Sequence, residues 1–263
     1  MVGPLDFREM VWAFVSLVEV LFLVFVVARQ LYRWYPIFSL YILALVLQTA
    51  AVALVYRHWG ASSREYWVAA WLSQAVVVAT RWLAVVEIAR KVFVRYSGVW
   101  KLVGAILMTL SVVALAYSVA AAAQRFDLMV LSADRRLELF IAVFTLAMFI
   151  FARYYRLPIS DTDRQLAIGL CLYSCVWVIN DSLYEGWRAW LGPVWDFIQT
   201  IAFLTSVALW FGALRAFAPR SVAAPGMSVS PELYAALSEE VNSRLLTLND
   251  RLEHFFRSKD TRR

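Results

Sequence analysis

Seven long apolar stretches constrain this chain more than anything else in it. They run over residues 10–28, 37–55, 66–89, 102–123, 137–155, 165–184 and 194–215. Each approaches the ~20 residues a helix needs to cross a bilayer. In hydrocarbon the backbone must satisfy its own hydrogen bonds, so stretches of this kind are read as helices. The predicted fold is therefore all-α, a polytopic membrane protein with seven transmembrane helices. Composition agrees: 62% of residues are hydrophobic and 17% charged, against about 25% charged in a soluble domain. Twelve Trp and twelve Tyr suit side chains that favour the membrane–water interfaces. The net charge of +6 is explained by basic loops facing anionic lipid, so no nucleic-acid partner is expected.

Basic residues on alternate loops set the orientation. With the N-terminus outside, the inner segments before the tail carry Arg29, Arg33, Arg90, Lys91, Arg95, Lys101, Arg153, Arg156, Arg164, Arg215 and Arg220. The outer segments carry Arg8, Arg57, Arg64, Arg125, Arg135, Arg136 and Arg188. The bias predicts N-out, C-in, in a bacterial cytoplasmic (inner) membrane. Asp6 and Glu9 near the start do not suit a signal peptide, so the first stretch is read as a retained helix. Residues 124–138 are expected to be an outer segment, with a short interfacial helix as an option.

The chain divides into a transmembrane domain over 1–215, a linker over 216–230 and a cytoplasmic amphipathic helix and tail over 231–263. Ser230, Pro231 and Glu232 make a good helix start. Leu233, Leu237, Val241, Leu245, Leu248, Leu252 and Phe255 then form one apolar stripe. That helix, over 231–257, is expected to dock on the inner loops, lie on the membrane or pair with a protein partner or second copy.

Ionisable residues inside spans are costly and usually face protein or water. At 1.5 Å per residue, Glu19 lies about 13 Å and Arg81 about 12 Å from the inner ends of their spans. Their shared level predicts an ion pair, with Gln48, about 16 Å up, able to join it. A second group, Gln74, Asn180, Asp181, Glu185, Asp196 and Gln199, is expected near the outer surface. A short turn over 186–193 would fold the seventh helix back beside the sixth and bring these together, either as a solvated rim or as a polar pocket. A third group, Arg90, Lys91, Arg95 and Lys101, is expected at anionic lipid headgroups, with Glu87 reaching Arg90 or Lys91 one turn on.

Little catalytic chemistry is legible. His58 and His254 have no companions for a metal or a triad, and no phosphate loop, GxSxG or HExxH occurs. Cys171 and Cys175, four apart in one helix, are read as small packing residues. Ala114, Ser118 and Ala122 form a small-residue stripe suited to close helix approach. The seventh stretch contains no lysine to hold a retinal. No cofactor and no metal are therefore expected.

The segments Tyr32-Arg-Trp-Tyr-Pro-Ile-Phe38 and EIARKVFVRYSGVWK, from Glu87 to Lys101, resemble inner segments of bacterial seven-helix multi-pass membrane proteins. That resemblance implies no activity and no site residues. The expected function is a non-enzymatic sensor or scaffold that couples an outer polar pocket to a cytoplasmic partner. The alternatives are a small-solute or ion transporter using the intramembrane charges, and an accessory subunit of a larger complex. The absence of visible repeats and of Pro breaks at span centres weighs against transport.

Overall fold

The computed structural model describes the backbone at residues 7–60, 62–94, 96–122, 126–157, 159–217, 243, 246–252 and 254; side chains are described there except at 7–9, 118, 121–122, 126–132 and 180–196. The described residues are helical or lie in turns. The long helices are α1 (Phe7–Ala28), α2 (Pro36–Trp59), α3 (Arg64–Phe93), α4 (Ser97–Ala122), α5 (Phe126–Tyr154) and α6 (Asp161–Arg215). Among the described residues six segments are long and apolar enough to cross a membrane: Met10–Ala28, Pro36–Trp59, Arg64–Phe93, Ser97–Tyr117, Ala133–Tyr154 and Phe197–Arg215. The all-helical class and the long apolar spans agree with the sequence prediction, which counts seven.

Local chemistry places the helix ends. Pro36 opens α2, where its missing N–H costs nothing. Gly60 closes it at φ 76°, a conformation that suits glycine. The Ser63 hydroxyl accepts from the Tyr66 N–H at 3.1 Å to cap α3, and Ser160 accepts from the Asp163 N–H at 3.0 Å to cap α6. At the end of α5, Arg156 takes φ 48° and the Leu157 N–H donates to the Ala152 carbonyl at 2.8 Å. That six-to-one bond is the Schellman stop, here with arginine where glycine is usual.

The helix assignment of α6 is unbroken over 55 residues, which would span about 82 Å if straight. It is not straight. Trp210 Nε1 donates to the Leu166 carbonyl at 3.2 Å, and the rings of Tyr173 and Phe203 sit 6.0 Å apart. A straight helix would hold Leu166 and Trp210 about 66 Å apart. The chain therefore reverses between Tyr173 and Phe203, and α6 has two antiparallel arms. The turn that the sequence places at 186–193 lies within the interval from Tyr173 to Phe203 that these contacts bracket.

One end of the bundle, called basal here, holds the end of α1, the 3-10 turn Leu31–Arg33, the start of α2, the α3–α4 and α5–α6 junctions and the end of α6. Its core is aromatic. Trp210, fully buried, meets Phe22 at 6.4 Å, Phe38 at 5.4 Å and Tyr41 at 6.0 Å between ring centroids. Gly169 makes this possible: a Cβ there would lie 2.3 Å from Trp210 Nε1. The opposite faces carry the apolar residues expected of a lipid-facing surface, including Leu17, Leu21 and Val24 on α1 and Met108, Val112 and Leu115 on α4, all more than half exposed.

The sequence assigns 124–138 to an outer segment. Residues 126–138 are helical, as that reading allowed, but they run on into α5 without a break. The reason lies in the spacing. Asp134, Glu138, Ile141, Thr145, Met148 and Ala152 are all buried and advance in steps of four and three, so the two acids extend the buried stripe of the helix. Of the expected linker and tail, residues 246–252 are helical. They dock at the start of α4: the Gly98 N–H donates to Asn249 Oδ1 at 2.8 Å, and Leu252 packs against the core.

Candidate functional site

Above the basal aromatic core lies a cavity of about 250 Å³. It is walled by α1 (Val15, Glu19), α2 (Leu45, Gln48), α3 (Gln74, Val77, Arg81) and both arms of α6 (Tyr173, Trp177, Gln199, Thr200, Phe203). On α1 the residues that face the bundle are Val15, Glu19, Phe22 and Val26, again in steps of four and three. Glu19 is thus carried inward by the same periodicity that turns its apolar neighbours to the core.

The structure does not form the expected Glu19–Arg81 pair. Glu19 Oε2 accepts from the Thr49 hydroxyl at 2.8 Å. Arg81, 1% exposed, pairs with α5: Nη2 lies 3.4 Å from Asp134 Oδ1 and Nη1 lies 2.6 Å from Glu138 Oε1. The Glu138 contact is an ion pair without an aligned hydrogen bond. Depth matched Glu19 to Arg81, but helix rotation and the reach of α5 decided the pairing. The guanidinium also faces the Tyr173 ring, 5.0 Å from its centroid, and the Tyr41 ring at 6.0 Å, a favourable placement for a desolvated cation.

Gln48 joins the cluster by a relay. Its amide donates to Gln74 Oε1 at 2.8 Å, and Gln74 Nε2 donates to Asp134 Oδ2 at 2.8 Å. Gln74 and Gln199, predicted in a separate outer group, line the same cavity as Glu19 and Arg81. The other members of that group, Asn180, Asp181, Glu185 and Asp196, lie outside the described side chains.

Asp134 and Glu138 are the functional candidates that the sequence reading passed over. The continuation of the α5 stripe was the available signal. Arg81 Nε and Tyr41 Oη are buried without an aligned hydrogen-bond partner among the described residues. Each such group carries a desolvation cost of about 1–3 kcal/mol.

The third predicted group also separates. Lys91 does not point to lipid headgroups. Its Nζ donates to the Trp34 carbonyl at 2.6 Å and sits 3.0 Å from the Tyr35 ring centroid. Glu87 reaches neither Arg90 nor Lys91 as a hydrogen-bond partner. Its carboxylate accepts from the N–H groups of Phe38 at 2.9 Å and Ile37 at 3.4 Å. The open N–H groups and positive end of α2 hold it, while Arg90 is exposed and Lys91 is held by Trp34 and Tyr35. Arg90 and Lys101 are exposed, and Arg95 lies outside the described residues.

At the same end Tyr35 Oη donates to Asp163 Oδ1 at 2.8 Å. Asp163 Oδ2 takes a second bond from the Ser160 hydroxyl at 2.6 Å. Burial, and then the negative charge of Asp163, push the Tyr35 phenol well above its ordinary range, so it stays a donor at neutral pH. Phe217 closes on the Trp34 and Tyr35 rings at 5.8 and 5.7 Å. Cys171 and Cys175 are free, half-buried and 4.0 Å apart between sulfurs. Among the described residues no three His, Cys, Asp or Glu side chains are arranged to hold a metal ion.

No protein-family model, curated protein or solved structure matches the chain.

Proposed function

We propose that this chain is a non-enzymatic seven-helix sensor or scaffold of the bacterial inner membrane, with the N-terminus outside and the tail inside. The two arms of α6 would each cross the bilayer and supply the sixth and seventh helices. One observation carries the reading: α3 touches both ends of the proposed signal path. It lines the cavity with Gln74 and Arg81. Three turns on, it braces α2 and the basal turn through Glu87 and Lys91, and it ends one short turn before Gly98, the residue bound by Asn249 of the tail. A ligand that shifts α3 at the cavity has a mechanical route to the tail.

Purification from native membrane in mild detergent tests this reading. A stoichiometric protein partner that disappears when residues 231–263 are deleted supports it. Solute flux in liposomes holding this chain alone overturns it in favour of a transporter. The relay from Gln48 through Gln74 to Asp134 and Arg81 is what favours that second reading. Reporter fusions at the two ends test the orientation, and labels of opposite sidedness are expected.

A further inference from the structure

We infer that the cavity takes a small organic cation, an ammonium group bound against Glu19. This deepens the proposed sensor reading and rests on the cavity being its ligand site. The first ground is charge. Among the described residues the charged side chains that line the cavity are Glu19 and Arg81, and the acids Asp134 and Glu138 stand buried behind Arg81. Arg81 is taken up by Asp134 and Glu138. Arg135 stands half-buried on the next flank of α5 and is not among the cavity-lining residues.

Glu19 is the acid left over. It is 8% exposed, lines the cavity, and has one hydrogen bond among the described residues, from the neutral Thr49 hydroxyl to Oε2. Its other oxygen is available to a donor inside the cavity. A buried carboxylate with no counter-charge among the described residues is unfavourable in hydrocarbon surroundings and is relieved by a proton or by a bound cation; an ammonium group in the cavity would be that cation.

The second ground is the shape and lining. Trp177, Tyr173 and Phe203 form a continuous aromatic wall, with ring centroids 5.7 Å and 6.0 Å apart in succession. Aromatic faces beside a carboxylate suit ammonium ligands. Arg81 over Tyr173 shows that a cation is tolerated on this wall. A volume of about 250 Å³ equals roughly eight water molecules at about 30 Å³ each, which leaves room for a small organic group. An anion is disfavoured, because Arg81, the cation among the described lining residues, is flanked by two carboxylates.

The test uses the full chain in detergent and titration calorimetry with n-propylammonium and tetramethylammonium chlorides, against sodium chloride, propanol and sodium butyrate. Ammonium binding is expected, weakened at least about tenfold in Glu19→Gln, as for loss of a hydrogen bond to a charged group. Val15→Trp, which fills the cavity and keeps Glu19, is expected to abolish it and provides the test if Glu19→Gln does not fold. The inference is overturned by unchanged ammonium affinity in Glu19→Gln, by propanol or butyrate binding as tightly as the ammonium ions, or by no ammonium binding up to millimolar concentration. Hydrogen exchange of residues 246–252 separates the two levels. Ammonium binding that leaves the tail unchanged upholds the ligand class and removes the sensor reading. A tail response to butyrate alone removes the ligand class and upholds the sensor.

Discussion

Gly169→Ala tests the reversal of α6 directly. The added Cβ would meet Trp210 Nε1 at 2.3 Å, Cδ1 at 2.8 Å and Cε2 at 3.1 Å. Ordinary contact begins near 3.4 Å, so the indole must retreat by about 1 Å or more. It has nowhere easy to go, because it is fully buried and bounded by Phe22, Phe38 and Tyr41. Overpacking of this kind costs about 1–3 kcal/mol. The displaced Nε1 also loses its bond to the Leu166 carbonyl, worth about 0.5–1.5 kcal/mol. The expected loss is therefore about 2–4 kcal/mol. Reversible unfolding in mixed micelles measures it. Trp210→Phe removes the donor and trims the ring, so Gly169→Ala should cost less in that background than in the parent. If Gly169→Ala costs less than about 0.5 kcal/mol and shows no coupling to Trp210→Phe, the two arms do not pack as described.

Asp134→Asn and Glu138→Gln each leave Arg81 short of a buried partner and should lose about 3–5 kcal/mol, whereas Glu19→Gln keeps the Thr49 bond and should hold or raise stability; the same unfolding assay compares them. Arg156→Gly relieves a left-handed arginine and should raise stability by about 1 kcal/mol; a loss of stability would mean that the arginine side chain outweighs the strain. Tyr35→Phe removes a hydrogen bond to a carboxylate and should cost about 1.5–3 kcal/mol. Because the Tyr35 phenol is raised in the folded state, its contribution is full below the ordinary tyrosine value of about 10 and falls as pH rises beyond it; alkaline unfolding of the Tyr35→Phe variant should lack that part of the decline. Asn249→Ala should increase proteolysis and hydrogen exchange of residues 246–252 while leaving the melting of the helical body unchanged.

The sequence by itself determined that this chain is helical and membrane-spanning. Runs of apolar residues near bilayer length admit little else, because hydrocarbon leaves the backbone no outside partner. It also placed Glu19, Gln48 and Arg81 near one level inside their spans, where polar groups are expected to face protein. Depth follows from counting 1.5 Å per residue along one helix. What counting cannot supply is the rotation of each helix about its axis and the identity of its neighbours. Those decide which charge meets which, and only the tertiary structure fixes them. So Arg81 went to Asp134 and Glu138 rather than to Glu19, and Glu87 went to the open end of α2 rather than to its own helix. Gln74 and Gln199, apart in the sequence reading, came to share one cavity with Glu19. Charges separated by many residues compete for partners through distances of a few ångströms, and such distances exist only once the helices have packed.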